Sequence, residues 1–344
     1  MATDAERAAM RRALALAATP GVPTGPNPRV GAVLVDSAGR VLGEGWHRGA
    51  GTSHAEVAAL QAAGSRARGA TAVVTLEPCA HTGRTAPCAQ ALVDAGVARV
   101  VFAQADPNPV ASGGAAVLAG AGLSVEAGLL AEEAQALNHE WTFAMSHGRP
   151  FVTWKVAATL DGRVAAADGT SQWITGPEAR ADVHAWRARC DAVVVGTATV
   201  LADNPRLTVR DASAPLVTQP LRVVIGHRDV PAESRVRDGT AAFVQIRTHD
   251  PHEALAHLYA DDVQHVYLEG GPTLAGAFVA AGTVDRLVAY YAGRLLGSGR
   301  PALGDAGVAT LADAPHLAIT DVRMVGPDVR LVADRRVSTR QRQG

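Results

Sequence analysis

The chain has 344 residues, enough for two domains of ordinary size, and 48% of them are hydrophobic, which supports real cores. A net charge of −1, from 32 basic and 33 acidic residues, leaves no electrostatic footprint for nucleic acid or an acidic membrane. Three cysteines are too few for a disulfide framework, and no apolar run reaches the ~20 residues of a membrane span, so a cytoplasmic protein is expected.

The segment Met1 to Thr19 carries Asp4, Glu6, Arg7, Arg11 and Arg12, so it reads as a first helix starting near Asp4 and not as a signal peptide. Val30–Val35 and Val41–Gly45 read as strands around a turn at Ser37–Gly39, and Ser53 is placed to cap a helix through Ala63. Ala72–Leu76 is a strand, Pro87 starts a helix to about Ala95, and Arg99–Ala103 is a strand again. This ββαβαβ order predicts an α/β sandwich. Ala131–Phe143 reads as a helix leading out to a boundary at Ser146–Pro150. The second half alternates in the same way. Strands are expected at Phe151–Ala157, Ala192–Val195, Leu221–Ile225, Ala242–Ile246 and Val263–Leu268, with helices from Pro177 and after Gly271. The resulting organisation is one domain over 1–147, a second over 148–334 and a loose basic tail over 335–344.

Chemistry concentrates first in His54-Ala55-Glu56, followed by Glu77-Pro78-Cys79 and Cys88. His54, Cys79 and Cys88 supply the three protein ligands of a catalytic zinc, which keeps its fourth position open for water. Glu56, two residues past His54, belongs beside that open position as a proton shuttle and not as a ligand. This is the arrangement of the zinc deaminases. Isolated His and Cys residues are usually structural, but here they arrive in the order the chemistry needs. The common deaminase signature separates its cysteines by two residues, whereas eight lie between Cys79 and Cys88. The insert must bulge, and His81, Thr82 and Arg84 in it suit a substrate phosphate. Cys190 is left over and reads as a small buried hydrophobe.

Lys155 is the only lysine among 32 basic residues, and it sits inside a strand just before the Asp161-Gly162 turn. A charge there is costly unless it faces a cleft, and Lys and Arg are not interchangeable where a compact ammonium is required. Glycine turns at Val195-Gly196-Thr197 and Glu269-Gly270-Gly271 each lead from a strand into a helix. The bland reading is a tight βα turn; the functional one is a pair of phosphate cradles for a dinucleotide.

The chain resembles the bifunctional deaminase–reductase family of bacterial riboflavin biosynthesis over nearly its whole length. In the first half the resemblance rests on Asn27-Pro28-Arg29-Val30-Gly31, Gly51 to Glu56, the run Thr75 to Cys88 with its long Cys-to-Cys loop, and Asp106-Pro107-Asn108-Pro109. In the second half it rests on Lys155 to Gly162, Ser171 to Thr175, Ala202 to Pro205, Leu207 to Arg210, Glu269 to Ala277, and Gly326-Pro327-Asp328-Val329. It implies an N-terminal cytidine-deaminase-like three-layer α/β/α domain and a C-terminal dihydrofolate-reductase-like α/β domain, with Zn2+ and NADPH as cofactors. It also implies two consecutive reactions. The 2-amino group of 2,5-diamino-6-(5-phosphoribosylamino)pyrimidin-4-one is hydrolysed, and NADPH then reduces the ribosyl group to a ribityl chain.

By motif, the resemblance implies His54, Cys79 and Cys88 as zinc ligands, Glu56 as the shuttle, and Asn27, with His81 and Arg84, as contacts to the pyrimidine substrate. Ala157, Trp173, Thr199, Asp203 and the run Gly271, Pro272, Thr273, Leu274, Ala275, Gly276 and Ala277 would contact NADPH. Ser171, Arg187, Leu207, Arg210 and Glu269 would contact the reductase substrate, with Arg187 and Arg210 as phosphate clamps. Lys155, Asp203 and Glu269 are the candidate catalytic groups there. The partner is then a small phosphoribosyl-pyrimidine, with no nucleic acid and no membrane, and a homo-oligomer is expected. A competing reading keeps the zinc deaminase but gives it a nucleic-acid base, with the second half a binding module; the near-neutral charge argues against it.

Overall fold

Thr3 opens the first helix, α1 (Asp4–Ala17), with a capping box: its hydroxyl accepts from the Glu6 amide and the Glu6 carboxylate accepts from its own. The computed structural model describes residues 1–22, 25–81, 87–210 and 218–336. The chain divides into two units, Met1–Gly148 and Arg149 onward.

In the first unit, α1 is followed by β1 (Gly31–Val35), β2 (Val41–Trp46), α2 (Ala55–Ala63), β3 (Thr71–Leu76), α3 (Cys88–Asp94), β4 (Arg99–Gln104), α4 (Gly114–Gly120), β5 (Ser124–Ala127), α5 (Ala131–Leu137) and α6 (His139–His147). The sheet order is β2-β1-β3-β4-β5; β1 runs antiparallel to β2 and β3, and β3, β4 and β5 are parallel. Alternating residues face opposite sides. Ala32, Leu34, Val74 and Val100 pack with Ala55 and Ala59 of α2, Leu92 of α3 and Leu118 of α4. Val33, Val35, Val73 and Val101 pack with Met10 and Ala13 of α1 and Ala134 of α5. The result is the expected three-layer α/β/α arrangement. Two glycines bring α2 unusually close to the sheet. A Cβ at Gly43 would lie 2.4 Å from the Ala59 carbonyl oxygen, and one at Gly45 would lie 2.4 Å from that of Ala55.

Three expectations change here. Ser53 is not the cap of α2. His54 holds that position, and it makes no side-chain cap bond because its ring turns toward the thiols. The single helix expected over Ala131–Phe143 is two, broken at Asn138, whose amide both accepts from and donates to the backbone of Arg29. The ββαβαβ order also continues through α4 and β5.

The second unit contains β6 (Phe151–Thr159), β7 (Arg163–Ala165), α7 (Pro177–Arg187), β8 (Ala192–Gly196), α8 (Thr197–Asp203), β9 (Leu221–Ile225), β10 (Phe243–Ile246), α9 (Pro251–Ala260), β11 (His265–Leu268), α10 (Pro272–Ala280), β12 (Arg286–Ala292), β13 (Arg300–Pro301), β14 (Leu317–Val325) and β15 (Asp328–Arg335). Eight strands form one sheet in the order β10-β9-β8-β11-β6-β12-β15-β14. It is parallel from β10 to β12, and β15 and β14 close it as an antiparallel hairpin. One face buries Trp154, Val194 and Leu268 under Leu255 of α9 and Phe278 of α10. The other buries Val193, Tyr267, Val288 and Tyr290 under Val183 and Trp186 of α7. Sequence patterning missed β12, β14 and β15. Arg335, expected to begin a loose tail, ends β15, and its amide donates to the Asp285 carbonyl; residues 337–344 of that tail lie outside the described residues.

Candidate active sites

The first site forms where α2 starts, where β3 ends and where α3 starts. His54 Nδ1 lies 3.2 Å from the Cys88 sulfur and 3.7 Å from that of Cys79, and the Cys88 amide donates to the Cys79 sulfur at 3.4 Å. All three donor atoms fall within 4.8 Å of one another, so this soft donor set fits a tetrahedral zinc with one position left over. Hydrogen bonds from Cys88 and His54 pull the Cys79 thiol down to about 4, while the hydrogen bond it gives Cys79 holds Cys88 up. Glu56 is 4% exposed, and burial pushes its carboxyl up to about 7.

Two residues the sequence reading passed over complete this site. Asn27 Nδ2 meets His47 Nε2 at 3.0 Å, and the other ring nitrogen of His47 lies 3.3 Å from the Ser53 carbonyl oxygen. Glu77 accepts from the amides of Asp106, Gly113 and Ala115, at 3.2, 3.2 and 3.0 Å. That carboxylate ties the segment after β3 that carries Cys79 to the loop before α4 and to its first turn. The contact is close: a Cβ on Gly114 would lie 1.7 Å from the Pro78 carbonyl oxygen. Neither signal is periodic; a buried acid just before Pro-Cys was the only hint. His81, two residues past Cys79, has Nδ1 buried and, among the described residues, without a hydrogen-bond partner. Arg84 and Thr82 lie outside the described residues.

The second site lies on the α7 face of the large sheet. Leu268 of β11 is in register with Trp154 of β6, so Glu269 follows beside Lys155. Arg187, in the last turn of α7, donates Nε and Nη2 to the two Glu269 oxygens at 2.5 and 2.9 Å, and Nη1 to the Thr208 carbonyl at 3.0 Å. The side chains are 11% and 9% exposed. Burial alone would raise the Glu269 carboxyl, but the charge and hydrogen bonds of Arg187, with Lys155, hold it below the usual range. Burial pulls the Lys155 ammonium down, against the attraction of Glu269. Arg187, expected to clamp a phosphate, thus has its guanidinium bound to Glu269.

The other expected contacts spread around this centre. Ala157 follows Lys155 on the same face of β6. Trp173 is 60% exposed, with the Arg180 guanidinium 4.7 Å from its ring centre, and Ser171 is half-buried nearby in sequence. Leu207 is buried at φ 55°, and the Arg210 amide donates to His184 Nδ1 at 3.3 Å. Asp203 ends α8, exposed. Thr199 lies against the second glycine turn, since a Cβ on Gly271 would meet its hydroxyl at 3.8 Å. Gly271, Pro272 and Thr273 open α10, whose free amides suit a cofactor phosphate. Leu274 packs against the core, Ala275 and Gly276 are buried, and Ala277 is partly so, which leaves the first turn as the accessible part of the run.

A His-Cys-Cys cluster with an adjacent buried glutamate, on an α/β/α sheet, defines a zinc-dependent deaminase domain, and the second unit adds a dihydrofolate-reductase-like sheet. The comparisons agree. Residues 3–104 match the cytidine and deoxycytidylate deaminase zinc-binding region, and residues 150–331 match the RibD C-terminal domain. The chain is 52% identical to the riboflavin biosynthesis protein RibD of Mycobacterium tuberculosis strain H37Rv, covering 90% of this chain and 91% of that one. It is 45% identical to RibD of Escherichia coli K12, covering 94% and 97%. The solved structure of Acinetobacter baumannii RibD, form 1, superposes with a TM-score of 0.89 at 39% identity, covering 97% and 99%. The Thermotoga maritima deaminase/reductase superposes at 0.85 and 32% identity, covering 96% and 99%. The chain belongs to the RibD family of bifunctional riboflavin-biosynthesis enzymes.

Proposed function

We propose that the chain deaminates 2,5-diamino-6-(5-phosphoribosylamino)pyrimidin-4-one and then reduces the ribosyl group of the product to a ribityl chain. The observation that carries this reading is the pairing of a His54–Cys79–Cys88 cluster beside buried Glu56 with a Lys155–Glu269–Arg187 cluster in the second unit.

Zinc, held by His54, Cys79 and Cys88, would polarise water and lower its pKa to about 7. Glu56 takes a proton from the attacking water and gives it to the departing amino group, which leaves as ammonia. Asn27, fixed by His47, orients the pyrimidine, and His81 offers its buried nitrogen to the substrate. In the second unit NADPH would supply the reducing equivalents, its phosphates meeting the first turn of α10. The ribosylamine opens to an electrophilic carbon, and Lys155 and Glu269 hold the sugar oxygens so that this carbon sits within the ~3–3.5 Å near-attack range.

The substrate is a free small molecule and the setting cytoplasmic: the net charge of −1 gives no nucleic-acid footprint, and among the described residues no helix is long and apolar enough to cross a membrane. A homo-oligomer is supported by β14, an outer edge strand that exposes Ile319, Val322 and Met324, and sedimentation of the purified chain tests it.

Purified protein is given the diaminopyrimidine with and without NADPH, and products are identified by mass. Ammonia release without NADPH, and ribityl product only with it, is the expected result. Binding and deamination of a nucleic-acid base in place of this substrate would overturn the reading.

A further inference from the structure

The Gly326-Pro327-Asp328-Val329 turn and the polar face of α7 take no part in the chemistry above, yet charged and polar contacts, partly or fully shielded from solvent, hold α7 to this turn and to the strands beside it. The Gly176 amide, at the N-terminus of α7, donates to Asp328 Oδ2 at 2.7 Å, and Asp328 is 3% exposed. Midway along α7, Asp182 accepts from the Tyr290 hydroxyl at 2.6 Å and from Arg330 Nη1 at 2.8 and 3.0 Å. Tyr290 is fully buried on β12 and Arg330 nearly so on β15. Arg330 is itself braced by Asp321 of β14 at 2.8 Å. One turn further on, α7 ends with Arg187 on Glu269.

These contacts alternate along the sheet. Tyr290 is in register with Ala157 and Val288 with Lys155, so Asp182 is anchored on the strand on one side of Lys155, while Arg187 grips the residue after β11 on the other. Apolar packing of Ala179, Val183 and Trp186 already holds the helix to the sheet. Buried ion pairs add little net stability, because desolvation offsets the attraction; their best-attested role is to fix registry. A helix held only by alanine, valine and tryptophan can slide. Asp182 cannot move without taking the acceptor from the buried Tyr290 hydroxyl and leaving Arg330 to Asp321 alone.

We infer that Asp182, fixed by Tyr290 and Arg330, is a positioning residue for the reduction step: it sets the register of α7 so that Arg187 holds Glu269 beside Lys155. This rests on the reading of Glu269 and Lys155 as reductase groups. Misplacement of about 1 Å can cost ~10²-fold in rate, and a helix released at one of its anchors shifts by less, so a loss of about tenfold is expected.

The test uses the full chain and measures ammonia release and NADPH-dependent reduction of pre-deaminated substrate. Asp182→Ala should lower the reductase kcat about tenfold, leave the KM for NADPH near its parental value and leave ammonia release unchanged. If Asp182 acts through Arg187, the same change in an Arg187→Lys background should add less than about a further twofold, since coupled residues are not additive. A general loosening of the fold would multiply instead, and multiplicative losses overturn the positioning role. Tyr290→Phe, which removes one hydroxyl, repeats the comparison if Asp182→Ala does not fold. A Glu269→Gln chain that reduces substrate at the parental rate would overturn the reading of Glu269 and the positioning role with it. Loss in that variant, together with multiplicative losses in the cycle, would overturn the positioning role alone.

Discussion

Each unit buries a glutamate at its centre, and the two are driven in opposite directions. Glu56 sits beside a histidine and two thiols, and burial pushes its carboxyl up to about 7. Glu269 is also deeply placed, but the bidentate Arg187 guanidinium and nearby Lys155 hold it ionised. Burial sets the penalty for a charge, and the partner decides whether the charge survives. A residue that must take up and release a proton suits the first setting. A residue that must stay a hydrogen-bond acceptor while a sugar is held in place suits the second.

The largest effect should come from breaking the proton carrier. Glu56→Gln should keep its zinc by elemental analysis and lose ammonia release by ~10²–10⁴-fold or more, because one carboxylate serves both water activation and amine departure. Reduction of pre-deaminated substrate should survive. Near-normal ammonia release, or loss of metal, would show that Glu56 is no shuttle.

Glu269→Gln attacks the other setting. It leaves Arg187 buried without its charge partner, a change that typically costs ~3–5 kcal/mol. The folded pKa of Glu269 is lowered, so its contribution is present above the unfolded value of about 4.3 and is lost as pH falls through the folded value. The gap in unfolding midpoint between parent and variant should therefore be wide at neutral pH and narrow in acid. A gap independent of pH would mean that Glu269 is not held as a carboxylate.

Lys155→Arg keeps the charge but replaces a compact ammonium with a planar fork. Reduction should drop ~10²-fold with ammonia release intact. With one lysine in the chain, an amine-selective reagent has only Lys155 and the α-amino group to find, so protection of Lys155 by substrate with NADPH gives an independent check. Smallest of all, Cys190→Ala should cost about 1 kcal/mol, since its buried thiol makes weak sulfur contacts, to the Trp186 carbonyl at 3.2 Å and to His265 Nε2 at 3.7 Å. Both activities and one zinc per chain should remain, and loss of zinc would mean that the ligand set has been misread.

Much of the first site was legible because its donors fall within one stretch, from His54 to Cys88, in the order the chemistry requires. Lys155 stood out by being alone. The Arg187–Glu269 pair did not, because its members are 82 residues apart and nothing local marks them as partners. His47 and Glu77 were missed for a related reason: their roles are hydrogen bonds to a ring nitrogen, to a carbonyl or to backbone amides, which leave no pattern in sequence. The strands β14 and β15 escaped because β14 carries Asp321 and Arg323, and β15 Asp328 and Arg330, in positions where an apolar pattern was sought; β12, an apolar run from Leu287 to Ala292, was overlooked although its pattern is legible. Helix α6 was merged with α5 because the break at Asn138 comes from a bond to Arg29, over a hundred residues earlier.

The glycines of β2 bear on how the enzyme is assembled in a cell. Main chain meets main chain where α2 lies over Gly43 and Gly45, so the helix that presents His54 and Glu56 is seated by the polypeptide itself. The ligand array is then expected to take shape without metal, with loading as a separate, later event. A cell short of zinc would accumulate folded chains with one working half, each able to consume the intermediate but not to make it, and each recruitable by metal without new synthesis.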